Sequence, residues 1–178
     1  MGGVIRLSRN FENLETTRLL YSGLVCSRLE YESIIWNSCH KSCSDQIEMV
    51  QKRFLRFLYL KKHGRYPYFL FNPVRTIQME AEFKLSTPII KRRIADCLFI
   101  FKIINGLVDC SYILGCLPIR YHSFATRKPA TFLVKKVRNK YDSNQLLNRA
   151  IHHFNMFPSD LDPFLGVFKS FLWSFYFK

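Results

Sequence analysis

The spacing of apolar residues along the chain predicts α-helices rather than strands. Two long segments carry apolar side chains at intervals of three and four residues, one from Thr16 to Trp36 and one from Ser44 or Asp45 to Lys62. The first stripe consists of Leu20, Leu24, Tyr31, Ile34 and Ile35, and the second of Ile47, Val50, Phe54, Phe57 and Leu58. Each segment is therefore expected to bury one face and to expose the other.

A third helix has the clearest sequence boundaries. Thr87 is placed to cap its N-terminus, Pro88 suits the first helical position, and Gly106 follows its last turn. Apolar residues surround this helix almost completely, at Ile90, Ile94, Cys97, Leu98, Phe99, Phe101, Ile103 and Ile104. A helix that is apolar on nearly all sides belongs in the middle of a bundle.

One acidic residue of this third helix has local partners of opposite charge. Asp96 lies four residues after Arg92 and three residues after Arg93. Because side chains at these spacings are neighbours on a helix surface, the sequence predicts an ion pair within the helix.

The pattern is less regular after residue 107. A short helix is predicted near Cys110–Leu117, a short strand at Thr131–Val134, and a longer helix that starts at Ser143 and ends before Pro158. The apolar face of that longer helix consists of Leu147, Ala150, Ile151 and Phe154. A last helix is expected from Asp162 onward.

Together these elements predict an all-α fold. We expect a bundle of about five helices, an irregular basic segment, and at most one short strand or hairpin near residues 131–134. Only seven Gly and seven Pro are present, which disfavours a β-sandwich or barrel with its many turns. Residues 1–107 are expected to form a helical bundle, and residues 108–178 a basic irregular segment followed by C-terminal helices. The alternative is one continuous domain.

The chain shows no segment that predicts membrane insertion or secretion. Its longest apolar stretches, Ile94–Ile104 and Phe164–Phe177, are interrupted by charged residues and are shorter than about 18 residues. No apolar run with a cleavage site follows Met1. The six cysteines are therefore interpreted as reduced thiols. We expect an intracellular protein, nuclear or cytoplasmic, that is not secreted and has no membrane span.

Positive charge is abundant and clustered. The chain of 178 residues has 27 Lys and Arg against 13 Asp and Glu, a formal net charge of +14. One cluster, without any acidic residue between its ends, consists of Lys52, Arg53, Arg56, Lys61, Lys62 and Arg65. A second lies in the acid-free interval between Asp109 and Asp142 and includes Arg127, Lys128, Lys135, Lys136, Arg138 and Lys140. Such clusters predict contacts with nucleic-acid phosphates. The structural alternatives are a solvated helix face, or attraction to acidic lipid or protein.

Motifs for catalysis, cofactors or metals are lacking in the sequence. It contains no Asp-Asp pair, Gly-rich phosphate loop, Gly-x-Ser-x-Gly turn or His-Glu-x-x-His helix. Cys39-His40-x-x-Cys43 is the one ligand-like cluster, and a structural zinc site needs a second pair of ligands. No catalytic residue, cofactor or metal site is therefore predicted.

Four groups of residues resemble a known family in their order and spacing. The first is Leu19-Leu20-Tyr21-x-x-Leu24-Val25 followed by Leu29-Glu30-Tyr31-x-Ser33-x-x-Trp36. The second is Ile47-Glu48-x-Val50-Gln51-x-x-Phe54-Leu55-Arg56. The third is Arg92-Arg93-x-x-Asp96-x-x-Phe99-x-x-Lys102-x-x-Asn105-Gly106 with Asp109-Cys110. The fourth is Thr126-Arg127 with Asn139-x-Tyr141-x-x-Asn144-x-x-Leu147-x-Arg149.

These motifs are similar to the C-terminal region of insect jockey-like non-LTR retrotransposon reverse transcriptases. The resemblance implies that residues 1–107 are thumb-like and that a post-thumb region follows. The palm with its Asp-Asp motif, and the endonuclease domain, are not part of the match, so no enzymatic activity of its own is expected. The family usually has Gly where this chain has Glu32.

The resemblance also implies partners. RNA or an RNA–DNA hybrid would be bound through its backbone with weak sequence specificity, and a polymerase palm is a further candidate partner. The alternative is a helical protein-interaction or structural module, in which the aromatic segment Phe164–Lys178 is a docking helix or an interfacial anchor. A third interpretation is the product of a decayed element without a nucleic-acid role.

Overall fold

Helices dominate the protein, which confirms the all-α fold class. The computed structural model describes residues 2–37, 41–65, 73–119, 132–134, 136 and 138–156, without the side chains of residues 73–75 and 140. The first helices are α1 (Gly2–Ser8), α2 (Leu14–Tyr21), the π-helix π1 (Ser22–Cys26), α3 (Ser27–Glu30) and α4 (Ser33–Trp36). The later helices are α5 (Lys41–His63), α6 (Pro73–Glu82), α7 (Pro88–Ile104), α8 (Ser111–Cys116), α9 (Lys140–Ser143) and α10 (Leu146–Phe154).

The chain divides into two compact units. The first unit comprises Met1–Ser33 and His40–Lys91, and the second comprises Ile34–Cys39 and Arg92–Lys178. The division falls inside α7, whereas the sequence predicts a boundary between residues 107 and 108. The predicted pair of folding domains stays a prediction.

The core of the first unit is built around two stacked aromatic rings. Tyr21 of α2 and Phe54 of α5 are both fully buried, with ring centroids 3.8 Å apart and planes inclined by 8°. The other buried members of this core are Cys26, Leu55, Leu58, Met79, Phe83 and Leu85. Because these residues come from α2, π1, α5, α6 and the segment that follows α6, their burial joins these elements into one unit.

The predicted helix from Thr16 to Trp36 is interrupted twice, and its predicted apolar stripe is wrong. Leu24 and Ile35 of that stripe are 49% and 78% exposed. The buried positions of α2 and π1 are instead Thr17, Tyr21 and Cys26, spaced by four and then five residues. The five-residue step follows from π1, whose hydrogen bonds join residues five apart and shift the inward-facing positions. A turn at residues 31–32 then ends the helix.

The other long helices match the sequence more closely. In α5, Phe54 and Leu58 of the predicted stripe are buried, and its remaining members are half-buried. All residues of α7 from Ile90 to Ile104 are buried or half-buried, apart from Lys102. Two helices of the first unit, α1 and α6, are not predicted by the apolar pattern.

The predicted ends of α7 are confirmed by its hydrogen bonds. The backbone N–H of Ile90 donates to Oγ1 of Thr87 over 3.3 Å, and Pro88 is the first helical residue. At the other end Gly106 has φ +66°, and the N–H groups of Gly106 and Leu107 donate to the carbonyls of Ile103 and Lys102. This left-handed closure favours glycine.

Two of the predicted helices after residue 107 occur in the second unit in shorter form. α8 lies within its predicted range, and α10 lies within the range of the helix predicted from Ser143, whereas α9 ends at Ser143 and is not predicted. Near residues 131–134, the described residues form one antiparallel bridge, which joins Ile119 to Phe132. The side chain of Asn155 extends this bridge, because it accepts from the N–H of Phe132 over 3.1 Å and donates to its carbonyl over 2.8 Å. The helix predicted from Asp162 lies outside the described residues, as does the aromatic segment 164–178.

Candidate nucleic-acid interface

The exposed cationic residues of α5 lie opposite its buried face. Gln51, Phe54 and Leu58 are each at most 1% exposed. Lys52 and Arg53 are exposed and make no ion pair within the described part of the chain. At 3.6 residues per turn they point away from the buried face. Both side chains are therefore accessible to a polyanion.

Two other cationic side chains of α5, those of Arg56 and Lys61, are less exposed than Lys52 and Arg53. Arg56 shares the outward face and is half-buried. Lys61 is half-buried, and its Nζ donates to the carbonyl of Ser8 over 2.7 Å and to Oγ1 of Thr17 over 3.1 Å. Lys61 therefore links α5 to the C-terminal end of α1 and to α2, a contact that the sequence pattern does not predict.

Lys62 has an acidic partner that comes from another helix. Its ammonium contacts the carboxylate of Glu82 at the end of α6, and Nε2 of His63 lies 3.5 Å from the same carboxylate. The hydrogen bond from Lys62 lowers the pKa of Glu82. The acid-free sequence cluster is thus partly neutralised in the folded chain. Arg65 is exposed beyond the end of α5.

The second predicted cluster is described only in part. Lys136 and Arg138 are exposed in the second unit. For Lys140 the structure gives the backbone at the start of α9. Arg127, Lys128 and Lys135 lie outside the described residues. The phosphate-binding role of this cluster therefore stays a prediction.

Two carboxylates next to Lys52, those of Glu48 and Glu80, are not among the site residues predicted from the sequence. Glu48 precedes Lys52 by one turn of α5, and Glu80 projects from α6 to within 3.4 Å of the amide Nε2 of Gln51. Burial raises the pKa of Glu80 to about 7. The sequence offers no local signal for this cluster, because Glu80 is 29 residues away from Gln51.

The described part of the chain contains no group of three His, Cys, Asp or Glu side chains that could hold a metal ion. Cys39 and His40 lie outside that part. On α10, His152 is exposed, whereas His153 is half-buried, and both line a cavity of about 320 Å³ together with Asn144 and Asn148. Burial and, to a smaller extent, the guanidinium of Arg93 together lower the pKa of His153 to about 4. The neutral imidazole is therefore the dominant form at pH 7.

No protein-family model matches this chain, and no curated protein or solved structure shows significant similarity to it. What the chain does is therefore inferred from its own residues. Within the described ranges, each helix is too short or too polar to cross a bilayer. The arrangement best suited to ligand binding is the outward face of α5, where Lys52 and Arg53 present cationic side chains to solvent.

Proposed function

We propose that this chain is a thumb and post-thumb fragment of a non-LTR retrotransposon reverse transcriptase that binds the backbone of RNA or an RNA–DNA hybrid. It has no catalytic activity of its own in this proposal. The observation that carries the proposal is the exposure of Lys52 and Arg53 on the face of α5 opposite its buried side chains. Arg56 lies one turn further along the same face.

The chemistry of this face suits phosphate rather than base recognition. Lysine and arginine bind phosphate oxygens, and they gain free energy by releasing the cations that surround a nucleic acid. From Lys52 to Arg56 the helix rises by about 6 Å, and each strand of a duplex carries a phosphate about every 3.4 Å along its axis. The face therefore covers roughly two phosphates. Such contacts bind without strong sequence preference.

The backbone at Glu32 supports the family assignment. This residue has φ +48°, in the left-handed region that favours glycine. The reverse transcriptases that the sequence resembles usually have Gly at this position. The backbone at residue 32 thus has a conformation that suits the glycine of the family, although this chain has glutamate there.

Contacts between the motifs give further support. Tyr21 of the first motif stacks on Phe54 of the second. Asp96 of the third motif forms an ion pair with Arg149 of the fourth. Residues that carry the resemblance are therefore also residues that hold the fold together.

The proposal is tested by measuring affinity against salt concentration. A labelled RNA–DNA hybrid is titrated with the full chain between 50 and 200 mM salt. With two to three phosphates neutralised, log affinity is expected to fall against log salt with a slope of about −2. A K52A/R53A double variant should bind more weakly with all sequences, and its slope should be smaller in magnitude by about 1 to 2.

The matched control removes two cations elsewhere in the first unit. Arg6 and Arg9 are exposed at and just after α1, so an R6A/R9A variant has the same net charge as K52A/R53A. It should retain most of the wild-type slope. An equal reduction of the slope in both variants would show that the nucleic acid is attracted by the overall charge of the chain, and it would contradict a defined interface on α5. Absence of salt-sensitive binding at 50 mM would overturn the proposal.

An exposed apolar face favours a second candidate function, a protein-interaction module. Leu19 and Leu24 are 65% and 49% exposed on α2 and π1, in the motif that resembles the start of the thumb. The family resemblance makes a polymerase palm the candidate partner. Co-purification with a jockey-like palm, measured by size-exclusion chromatography, should be lost in an L19E/L24E variant. A complex that survives this change would contradict the assignment of this face.

A further inference from the structure

A buried amide holds a carboxylate beside the proposed phosphate-binding face. Gln51 is 1% exposed, and its Nε2 donates to the carbonyl of Ser86 over 2.9 Å and to Oε1 of Glu80 over 3.4 Å. These contacts join α5 to the end of α6 and to the segment before α7. Glu80 is therefore in contact with the residue that precedes Lys52 in sequence.

A second carboxylate completes the cluster. Glu48 lies one helical turn before Lys52, and its Oε1 accepts from the backbone N–H of Ile89 in the first turn of α7 over 2.9 Å. Glu48 and Lys52 are the charged groups that act on Glu80 from α5, with opposite signs. Lys52 thus has two carboxylates in its surroundings, both anchored through contacts with other elements of the first unit.

The protonation of Glu80 is poised near neutral pH. Burial raises its pKa to about 7, against the hydrogen bond from Gln51, and Glu48 raises it while Lys52 lowers it. Near pH 7 the population is therefore divided between the charged and the neutral form. Above that pH the carboxylate attracts the Lys52 ammonium and repels an incoming phosphate.

We propose that Glu80 is a proton-linked regulator of polyanion binding at Lys52. This inference rests on the proposed function. Addition of a solvent proton to the Glu80 carboxylate removes one negative charge beside Lys52, so a phosphate binds there more tightly. By linkage, a bound phosphate favours protonation of Glu80 to the same extent. Nucleic acid is thus held more tightly on the acidic side of neutrality.

The test compares affinities for the labelled RNA–DNA hybrid between pH 5.5 and 8.5 at constant salt. Glu80→Gln, which mimics the protonated acid, should bind about threefold more tightly than wild type at pH 8.5, the order of magnitude expected for removal of one nearby charge in nearly aqueous surroundings. The two proteins should bind equally at pH 5.5. In the Lys52→Ala background the effect of Glu80→Gln at pH 8.5 should shrink.

Two controls make the result specific. Glu12→Gln makes the same change in net charge at an exposed position between α1 and α2, and it should retain the wild-type pH dependence. Carboxyl carbon NMR of the free chain gives a direct readout, in which Glu80 should titrate near pH 7 and at a higher pH in Lys52→Ala. Titration of Glu80 near the ordinary glutamate value of about 4.3 would overturn the inference.

The outcomes separate this inference from the proposed function. Salt-sensitive binding with equal affinities of wild type and Glu80→Gln at pH 8.5 overturns the regulation and leaves the proposed function standing. Absence of salt-sensitive binding at every pH overturns the proposed function, and the inference with it. A pH dependence that persists unchanged in Glu80→Gln assigns the linkage to another group and also overturns the inference.

Discussion

Arg149 and Asp96 form a two-pronged ion pair inside the second unit. The Nε and Nη2 atoms of Arg149 donate to Oδ2 and Oδ1 of Asp96 over 2.7 and 2.9 Å. The same guanidinium also donates to the carbonyls of Asn144 and Ile34, each over 2.8 Å. Burial raises the pKa of Asp96, and the bonds from Arg149 oppose this. This one side chain therefore connects α10, α7 and the start of α4.

Removal of either partner should strongly destabilise the chain. Arg149→Met and Asp96→Asn each leave a buried group without its counter-charge, so we expect a loss of about 3 to 5 kcal/mol in the free energy of unfolding, measured by urea denaturation. The control is Arg138→Met, which removes an exposed arginine and should change stability by about 0.5 kcal/mol or less. A loss below about 1 kcal/mol in both single variants would contradict a structural role of the pair.

Replacement of Glu32 by glycine should stabilise the protein. Its φ of +48° costs a non-glycine residue about 1 to 2 kcal/mol, part of which glycine recovers after its larger entropy loss on folding. We expect a gain of about 0.5 to 1 kcal/mol in thermal or urea denaturation.

Two further glycine substitutions test the cause of this gain. Lys84 has φ +51°, so Lys84→Gly should also stabilise. Arg28 is exposed within α3, where Arg28→Gly should destabilise by about 1 kcal/mol. A destabilised Glu32→Gly variant would be inconsistent with a left-handed residue at the end of α3.

Lys61 should contribute to stability rather than to nucleic-acid binding. Lys61→Met keeps much of the aliphatic length and removes the two hydrogen bonds to Ser8 and Thr17, so a loss of about 1 to 3 kcal/mol is expected. Urea denaturation gives this loss, and the salt dependence of hybrid binding should keep the wild-type slope. A slope reduced as strongly as in Lys52→Ala would instead assign Lys61 to the interface.

His153 should make the protein less stable in acid. Its pKa is about 4 in the folded chain and about 6.5 in the unfolded chain, so the unfolded state binds more protons between these values. Stability therefore falls as the pH is lowered from 6.5 to 4. Relative to His153→Gln, wild type should lose about 2 kcal/mol over this range, after allowance for the partial exposure of the ring.

The neighbouring histidine provides the control. His152 is exposed on the same helix, and His152→Gln should retain the acid sensitivity of wild type. If the stability difference between wild type and His153→Gln is independent of pH, the imidazole is not held neutral by the fold.

Local signals predicted the features that depend on neighbouring residues. Thr87, Pro88 and Gly106 define the ends of α7 through backbone geometry within one turn, and all three occupy the predicted positions. The inward face of α5 around Phe54 follows from a regular helical period. Lys52 and Arg53 lie outside the apolar stripe predicted for this helix, and both are exposed.

Features that depend on distant residues could not be predicted in this way. Asp96 has arginines nearby on its own helix, yet its described hydrogen bonds come from Arg149, 53 residues away. Lys62 has no acid near it in sequence and contacts Glu82 of a helix that was not predicted. The π-helix moved the buried positions beyond Tyr21 by one residue, which a fixed period of 3.6 does not allow.

The enclosure of Tyr21 against Phe54 has a spectroscopic consequence. Its ring is fully buried, and burial raises the pKa of its phenol above the ordinary value near 10. In alkaline solution this hydroxyl will therefore stay protonated after exposed tyrosines have formed phenolate. A step in ultraviolet absorbance at a pH above that of the exposed tyrosines then reports ionisation of Tyr21 and thus the opening of the first unit. This measurement needs no attached label.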